Sequence, residues 1–385
     1  LGGGMASGCR DTMRPPDPDP SGETVVTTVA EGQAVWMIDP SAGRILARLD
    51  VGGQIEGAAT SPDGAMLYVG VRAPGFRNEL VAVDTRAGSV RWRLPLAENG
   101  RPHVIDGVGL RNGEVIAVSP DGERLHLWRA EKEGVVGVVS LDLRTRRPVG
   151  FSGPWNVAAG GLVPLAPEGV APRGALAVLA SRENASGGPR GRAAVYLLDP
   201  VSLAPLDSIL PASLGGPQDQ DIWQIIPAPG GRDLFLAGSH QLVRYDLVAR
   251  RVAASTPRPS SGALSVTSDT GHVVISDSGT WPDNPGSGHL FLFGPNLEPR
   301  GVIDVSTALG GRPSSPTATR TGLMAASRDG RTVYVRAGSD LVGPLYPAQP
   351  ARLLVVDVVS RTLRRAVKLD GYGLGAVFIR APGSR

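Results

Sequence analysis

The sequence predicts an all-β protein, a seven-bladed β-propeller with four-stranded blades, and three observations carry the prediction. Its 385 residues hold 52 Gly and 34 Pro, too much punctuation for helices and well suited to short strands broken by turns. A Pro-Asp-Gly type of turn recurs along the chain. A second landmark, an apolar strand that ends in Asp, alternates with it. Repeats of about 50 residues with several strands each point to a propeller or solenoid.

The first landmark opens as "AATSPDGAMLYVGV", where Pro62 presets φ, Asp63 bonds its own backbone and Gly64 accepts positive φ. It returns at Pro120-Asp121-Gly122, Pro167-Glu168-Gly169, Pro229-Gly230-Gly231, Asp269 to Gly271 and Asp329-Gly330, and ends in "AVFIRAPGSR". The second landmark places Asp39, Asp84, Asp142, Asp199, Asp246 and Asp357 at strand ends, and Gly294 stands at the seventh such position. These aspartates read as turn caps. Each unit therefore holds four strands, one on each side of each turn.

Closure is legible as well. The first unit, Thr24 to Val51, has three strands and lacks the one that elsewhere precedes a Pro-Asp-Gly turn, and the C-terminal "GLGAVFIRAPG" supplies it. The two ends of the chain then share a sheet and leave no open edge between first and last blades. Two regions follow: 1–23, a polar tether, and 24–385, the propeller.

The unit "GAATSPDGAMLYVGV … LVAVDTRAGSVRWRLPL" resembles the repeat of the YVTN-type β-propellers, allied to the amine-dehydrogenase β-chain propellers, and the resemblance runs from Thr24 to Arg385. It implies the propeller fold. The shared residues are scaffold residues, and such propellers occur as surface proteins, lactonase-like enzymes and subunits of redox enzymes, so the resemblance does not choose a function.

Hydrophobic residues make up 41% of the chain, enough for a packed body, and no apolar run reaches the length of a membrane span. The net charge is only +3, with cations that are almost all Arg, Lys132 and Lys368 being the exceptions. Scattered along the chain, they form no basic stripe interleaved with aromatics, and nucleic acid is not an expected partner. The single cysteine, Cys9, excludes a disulfide framework and a multi-cysteine metal site. Ala6-Ser7-Gly8-Cys9 resembles the end of a bacterial lipoprotein signal peptide, with Ala6 where Leu is usual. It predicts an extracytoplasmic protein in the cell envelope, attached to the membrane only through a lipid on Cys9. The alternative makes Met5 the start, Cys9 an incidental thiol and the protein cytoplasmic.

In a propeller the two repeated turns share one rim. The remaining loops gather at the opposite face, and here those are the long ones: 98–109, 181–193, 215–224, 278–289, 310–322 and 337–351. Long loops on a rigid scaffold are the usual place for binding. Candidates on this face are Glu56, His103, Asp106, Trp155, Asp219, Asp221, Trp281, Asp283, His289 and Tyr372. Glu56, His103 and Asp219 offer the oxygen and nitrogen donors of a divalent metal, but the same residue types also serve as ordinary solvated loop residues. His126, His240 and His272 fall on or beside strands and read as structural. Phosphate-cradling, nucleophile-elbow, zinc-protease and haem-attachment motifs are absent, so no cofactor is expected. The leading expectation is a non-catalytic module that binds a protein, peptide or glycan. A metal-dependent lactonase- or lyase-like enzyme and an accessory subunit of a redox complex are the alternatives.

Overall fold

The computed structural model describes residues 23–28, 33–73, 77–98, 101–102, 116–132, 135–165, 174–181, 193–214, 222–238, 240–259, 264–266, 271–276, 288–309, 320–338, 351–369 and 377–380. Seven four-stranded antiparallel blades stand in a ring, and the fold is a seven-bladed β-propeller. Blade 1 joins Val377–Arg380 to Thr24–Thr28, Ala34–Asp39 and Arg44–Asp50. Blade 2 is Gln54–Thr60, Met66–Ala73, Arg77–Asp84 and Ser89–Pro95. Blade 5 is Ile222–Pro227, Asp233–Gly238, Gln241–Asp246 and Arg251–Pro257. Blade 6 is Leu264–Val266, Val273–Ser276, His289–Phe293 and Pro299–Asp304, and blade 7 is Arg320–Ala326, Thr332–Gly338, Arg352–Asp357 and Thr362–Lys368.

Blades 3 and 4 are joined in a way the repeats do not announce. Ile116–Val118, Arg124–Lys132 and Val135–Asp142 pair with the first half of one 19-residue strand, Arg147–Leu165. Its second half is the inner strand of blade 4, beside Ala175–Ser181, Ala193–Leu198 and Pro205–Ile209. A register shift between Asn156 and Gly161 marks the passage from one blade to the next. The chain thus crosses from outer wall to channel side in one extended segment, without a loop.

Ring closure follows the sequence expectation. Thr24 pairs with Arg380, Val25 with Ile379, Val26 with Phe378 and Thr27 with Val377. The entry point is fixed too. Glu23, 5% exposed, accepts the Arg328 N–H at 2.8 Å and the Tyr334 hydroxyl at 3.3 Å, so blade 7 holds the start of blade 1.

The core lies in the seams between blades. Val26, Val35 and Met37 of blade 1 meet Leu67, Val69 and Val81 of blade 2, and comparable clusters join each later blade to its neighbour, ending with Tyr334, Leu353 and Val355 against Val25, Trp36 and Ile38. Alternation of side chains along each strand produces this arrangement, one face going to each neighbouring blade. A fully buried Val or Leu there contributes about 1.5–3 kcal/mol. Outer strands show the complementary pattern, with Ser89–Pro95 and Arg251–Pro257 alternating exposed and half-buried residues.

Arginines also tie blades together. Arg93 donates to the Val51 carbonyl at 2.9 Å, and Arg244 donates to the Pro295 carbonyl at 3.1 Å and to Asn296 at 2.8 Å. Arg146 of blade 3 lies over the Trp92 ring of blade 2, 5.1 Å from its centre. A planar fork with five donors on a long stem suits such crossings better than an ammonium group.

Candidate functional site

The two ends of the propeller are distinguished by what holds them. At the turn-bearing rim Ser61, Asp63 and Gly64 form a closed unit. The Ser61 hydroxyl donates to Asp63, Asp63 accepts the Ala65 N–H at 3.0 Å, and Gly64 donates to the Ser61 carbonyl at 2.8 Å with φ at 72°. Ser119-Asp121-Gly122 and Ser327-Asp329-Gly330 repeat it. The Ser61 hydroxyl and the Ala65 N–H hold the Asp63 carboxyl below its ordinary range. The second turn leans on the first through Thr85 N–H to Ala65, Leu143 to Glu123, Leu247 to Arg232 and Val358 to Arg331, each near 3 Å. Both repeated turns therefore share one rim, and their aspartates are occupied by scaffold bonds.

At the other end, in blades 1, 2, 5, 6 and 7, the residue that leaves the outer strand donates its N–H to a carbonyl at the start of the third strand. Val51 bonds Gln33, Leu96 bonds Asn78, Arg258 bonds His240, Val305 bonds Gly288 and Leu369 bonds Ala351, at 2.6–2.9 Å. These clasps form the base from which the long loops depart. Two connections add a short 3-10 turn, Pro211–Leu214 and Ser306–Leu309. The carbonyl at or next to the end of each turn receives the first side chain of the next blade's third strand, Gln241 to Leu214 at 3.5 Å and Arg352 to Ala308.

Among the predicted site residues, Glu56 and His289 are described in full. Glu56 lies at a register shift in the inner strand of blade 2, between Ile55 and Gly57. Its carboxylate, 4% exposed, pairs with Arg72 at 3.0 Å. His289 opens the third strand of blade 6 opposite Asp304, with its ring set edge-on to Phe291 at 6.4 Å. The Ser306 hydroxyl and N–H, and then the neighbouring His289, hold the Asp304 carboxyl below its ordinary range. Blades 7 and 1 stand between these two residues on the shorter way round the ring, so Glu56 and His289 do not form one cluster.

Trp155 falls inside the strand that crosses from blade 3 to blade 4, paired with Val136, and its side chain lies outside the described residues. His103, Asp106, Asp219, Asp221, Trp281, Asp283, Tyr372 and Cys9 also lie outside them. Within the described residues no three His, Cys, Asp or Glu side chains approach closely enough to hold a metal.

Two arginines on this face were not anticipated. Arg72 neutralises Glu56, and only the strand register, which sets it opposite Gln54, reveals the pairing. Arg258 donates to the Gly238 carbonyl at 2.7 Å, and burial pushes its guanidinium down to about 10. No helix among the described residues is long and apolar enough to cross a membrane.

No protein-family model matches the chain, and no curated protein sequence does. Solved structures do match. A functionally unknown protein from Desulfotomaculum acetoxidans superposes with a TM-score of 0.62 at 13% identity, over 93% of this chain and 99% of that one. The dihydro-heme d1 dehydrogenase NirN, in complex with DHE, gives 0.56 at 16% identity, over 94% and 76%. The β-propeller domain of Cps50 (Swd1) from Myceliophteria thermophila gives 0.51 at 14% identity, over 84% and 90%. At these identities the likeness is one of fold.

Proposed function

We propose that the chain is an extracytoplasmic β-propeller lipoprotein of the YVTN repeat type. In this reading it binds a protein, peptide or glycan partner through its loop-rich face and performs no catalysis of its own. The observation that carries the proposal is the contrast between the ends of the ring. One end repeats the same saturated turns, and the other repeats only its backbone clasps, on which loops of unrelated sequence stand. A rigid base bearing variable loops is the architecture of a binding face. Pairing of Glu56 with Arg72 also favours binding over metal chemistry, because the carboxylate already has a counter-charge.

Replacing 278–287, the loop up to the clasp at Gly288, by a Gly/Ser linker of equal length is expected to leave the unfolding transition in place. It should abolish recovery of the partner cross-linked to the native protein in its envelope. Retention of that partner would overturn the assignment of the face. One equivalent of a divalent metal in the purified protein, lost in Glu56→Gln, would replace this reading with the lactonase-like one. Labelling by radioactive palmitate should disappear in Cys9→Ala, and persistent labelling would remove the anchor.

A further inference from the structure

The arginines that look scattered in the sequence are gathered by the fold onto one sector of the outer wall. Taking the second turn and outer strand of each blade, residues 357–368, 39–50, 84–95 and 142–153 hold twelve Arg and Lys against five Asp. The equivalent segments of blades 4, 5 and 6, residues 199–210, 246–257 and 294–305, hold three Arg against five Asp and Glu. Blades 7, 1, 2 and 3 are consecutive in the ring, so the twelve cations form one continuous arc. All but the half-buried Arg365 are exposed. The five aspartates of the arc each accept a backbone N–H of their own turn or strand end: Ala42 on Asp39, Gly52 on Asp50, Arg86 on Asp84, Thr145 on Asp142 and Val359 on Asp357; two of them also pair with cations of the arc, Asp84 with Arg91 at 3.4 Å and Asp357 with Arg364.

Protection of open sheet edges is the ordinary reason for charge on an outer strand. It does not explain this distribution, because blades 4 to 6 have the same open edges without the cations. We infer that the outer wall of blades 7, 1, 2 and 3 is a docking surface for an acidic protein surface, distinct from the loop-rich face and independent of its function.

Three features select a protein. Exposed apolar side chains lie among the cations, Ile45 at 37%, Leu46 at 46%, Val149 at 49% and Phe151 at 43%, as in an interface with an apolar centre and a charged rim. Four of seven blades cover more than half the circumference. A flat bilayer meets only part of such a wall, whereas a protein can follow its curve. The tryptophan of this wall, Trp92, is already covered by Arg146 at 5.1 Å, and Phe151 alone does not make the row of stacking platforms that single-stranded nucleic acid uses.

The test uses poly-L-glutamate as the acidic chain, beside phosphatidylglycerol vesicles and a single-stranded oligonucleotide, with the full-length protein carrying Cys9→Ala. Polyglutamate should bind at low salt and be released as salt rises. Arg86→Glu/Arg147→Glu should weaken it about tenfold or more. Arg251→Glu/Ala253→Glu/Ser255→Glu makes the same change in net charge on the blade 5 wall and should leave binding within about twofold of the parent. Circular dichroism and unfolding midpoints establish that both variants fold. Equal losses in the two variants, or no binding of polyglutamate at low salt, would overturn the docking surface. Tighter, arc-dependent binding of the vesicles or the oligonucleotide would overturn the protein assignment in favour of that class.

Discussion

At the turn rim six aspartates, from Asp39 to Asp357, hold backbone N–H groups of their own turns, and every copy of the motif is satisfied. The seams between blades are less uniform. Four residues after the turn glycine, the second strand presents Tyr68, His126, Phe235 or Tyr334, and two residues later Gly70, Trp128, Ala237 or Arg336. Tyr68 packs against Trp92 and Tyr334 reaches Glu23, but both ring nitrogens of His126 and the guanidinium of Arg336 are buried without hydrogen-bond partners among the described residues. The difference reflects what surrounds each group. A turn has few other contacts, so a lost cap is felt directly. A seam buries enough apolar surface to carry an isolated polar group at a cost to stability.

The largest test of that contrast is Arg336, which is 0% exposed in the seam of blades 7 and 1. Burial pushes its guanidinium down to about 10, and it stays charged at neutral pH in both folded and unfolded chains. Its burial penalty is therefore fully present. Arg336→Met is expected to stabilise the protein by about 3 kcal/mol, read from urea unfolding. A loss of stability would show that the seam needs the cation.

His126 gives a smaller effect with a pH signature. Burial, with help from Arg124, lowers its folded pKa to about 4 from an ordinary 6.5. The folded state therefore binds the proton more weakly than the unfolded chain, and stability falls as pH drops from 6.5 towards 4. Between pH 7 and pH 5 the His126 contribution amounts to about 2 kcal/mol. His126→Phe, which installs the residue of blade 5, should flatten the unfolding midpoint over that interval. An unchanged slope would assign the acid sensitivity of that interval to another histidine, His272, whose pKa burial also lowers, since the turn carboxylates stay ionised there in both states.

Much of this was readable from spacing because turns are local. Asp63 and Gly64 declare their conformation within four residues, and the six aspartates recur with an apolar strand before each. The closing strand was legible for the same reason, as a unit short by one strand. The pairing of Glu56 with Arg72 depends on register across a β-bulge, and the merging of two blades along Arg147–Leu165 on a strand that runs straight from one blade into the next. Neither leaves a periodic mark. The basic arc is harder still to see, since residues 39–50 and 357–368 become neighbours only when the ring closes. The candidate face is marked in the sequence only by the long loops that interrupt the repeat; of its named side chains, Glu56 and His289 are described in full, and they stand on separate blades.

At the rim, Asp357 sets the scale of a cap. Its carboxylate accepts the N–H groups of Val359 and Ser360 at 2.8 Å and pairs with Arg364. Asp357→Ala should cost about 1–2 kcal/mol while leaving binding at the loop-rich face unchanged. A change in partner affinity without a change in stability would place function on the wrong rim.

Blade 6 tests whether the cap or the aspartate itself is what the turn requires. Its turn is one residue shorter: the left-handed residue, Leu297 with φ at 63°, comes three positions after Gly294, whereas Leu203 with φ at 58° comes four after Asp199. The carboxylate comes from the far side, where Glu298 accepts the Asn296 N–H at 3.1 Å. A Cβ placed on Gly294 would stand 2.0 Å from the Glu298 Oε1, so the glutamate fills the space that an aspartate side chain would use. Gly294→Asp and Glu298→Ala should each lower the unfolding midpoint, by less than Asp357→Ala does. The double variant should recover most of the loss, because one carboxylate again meets the Asn296 N–H with no clash. Additive losses in that cycle would mean that the turn needs Glu298 for its pairing with Arg300, at 2.5 Å, and not as a cap.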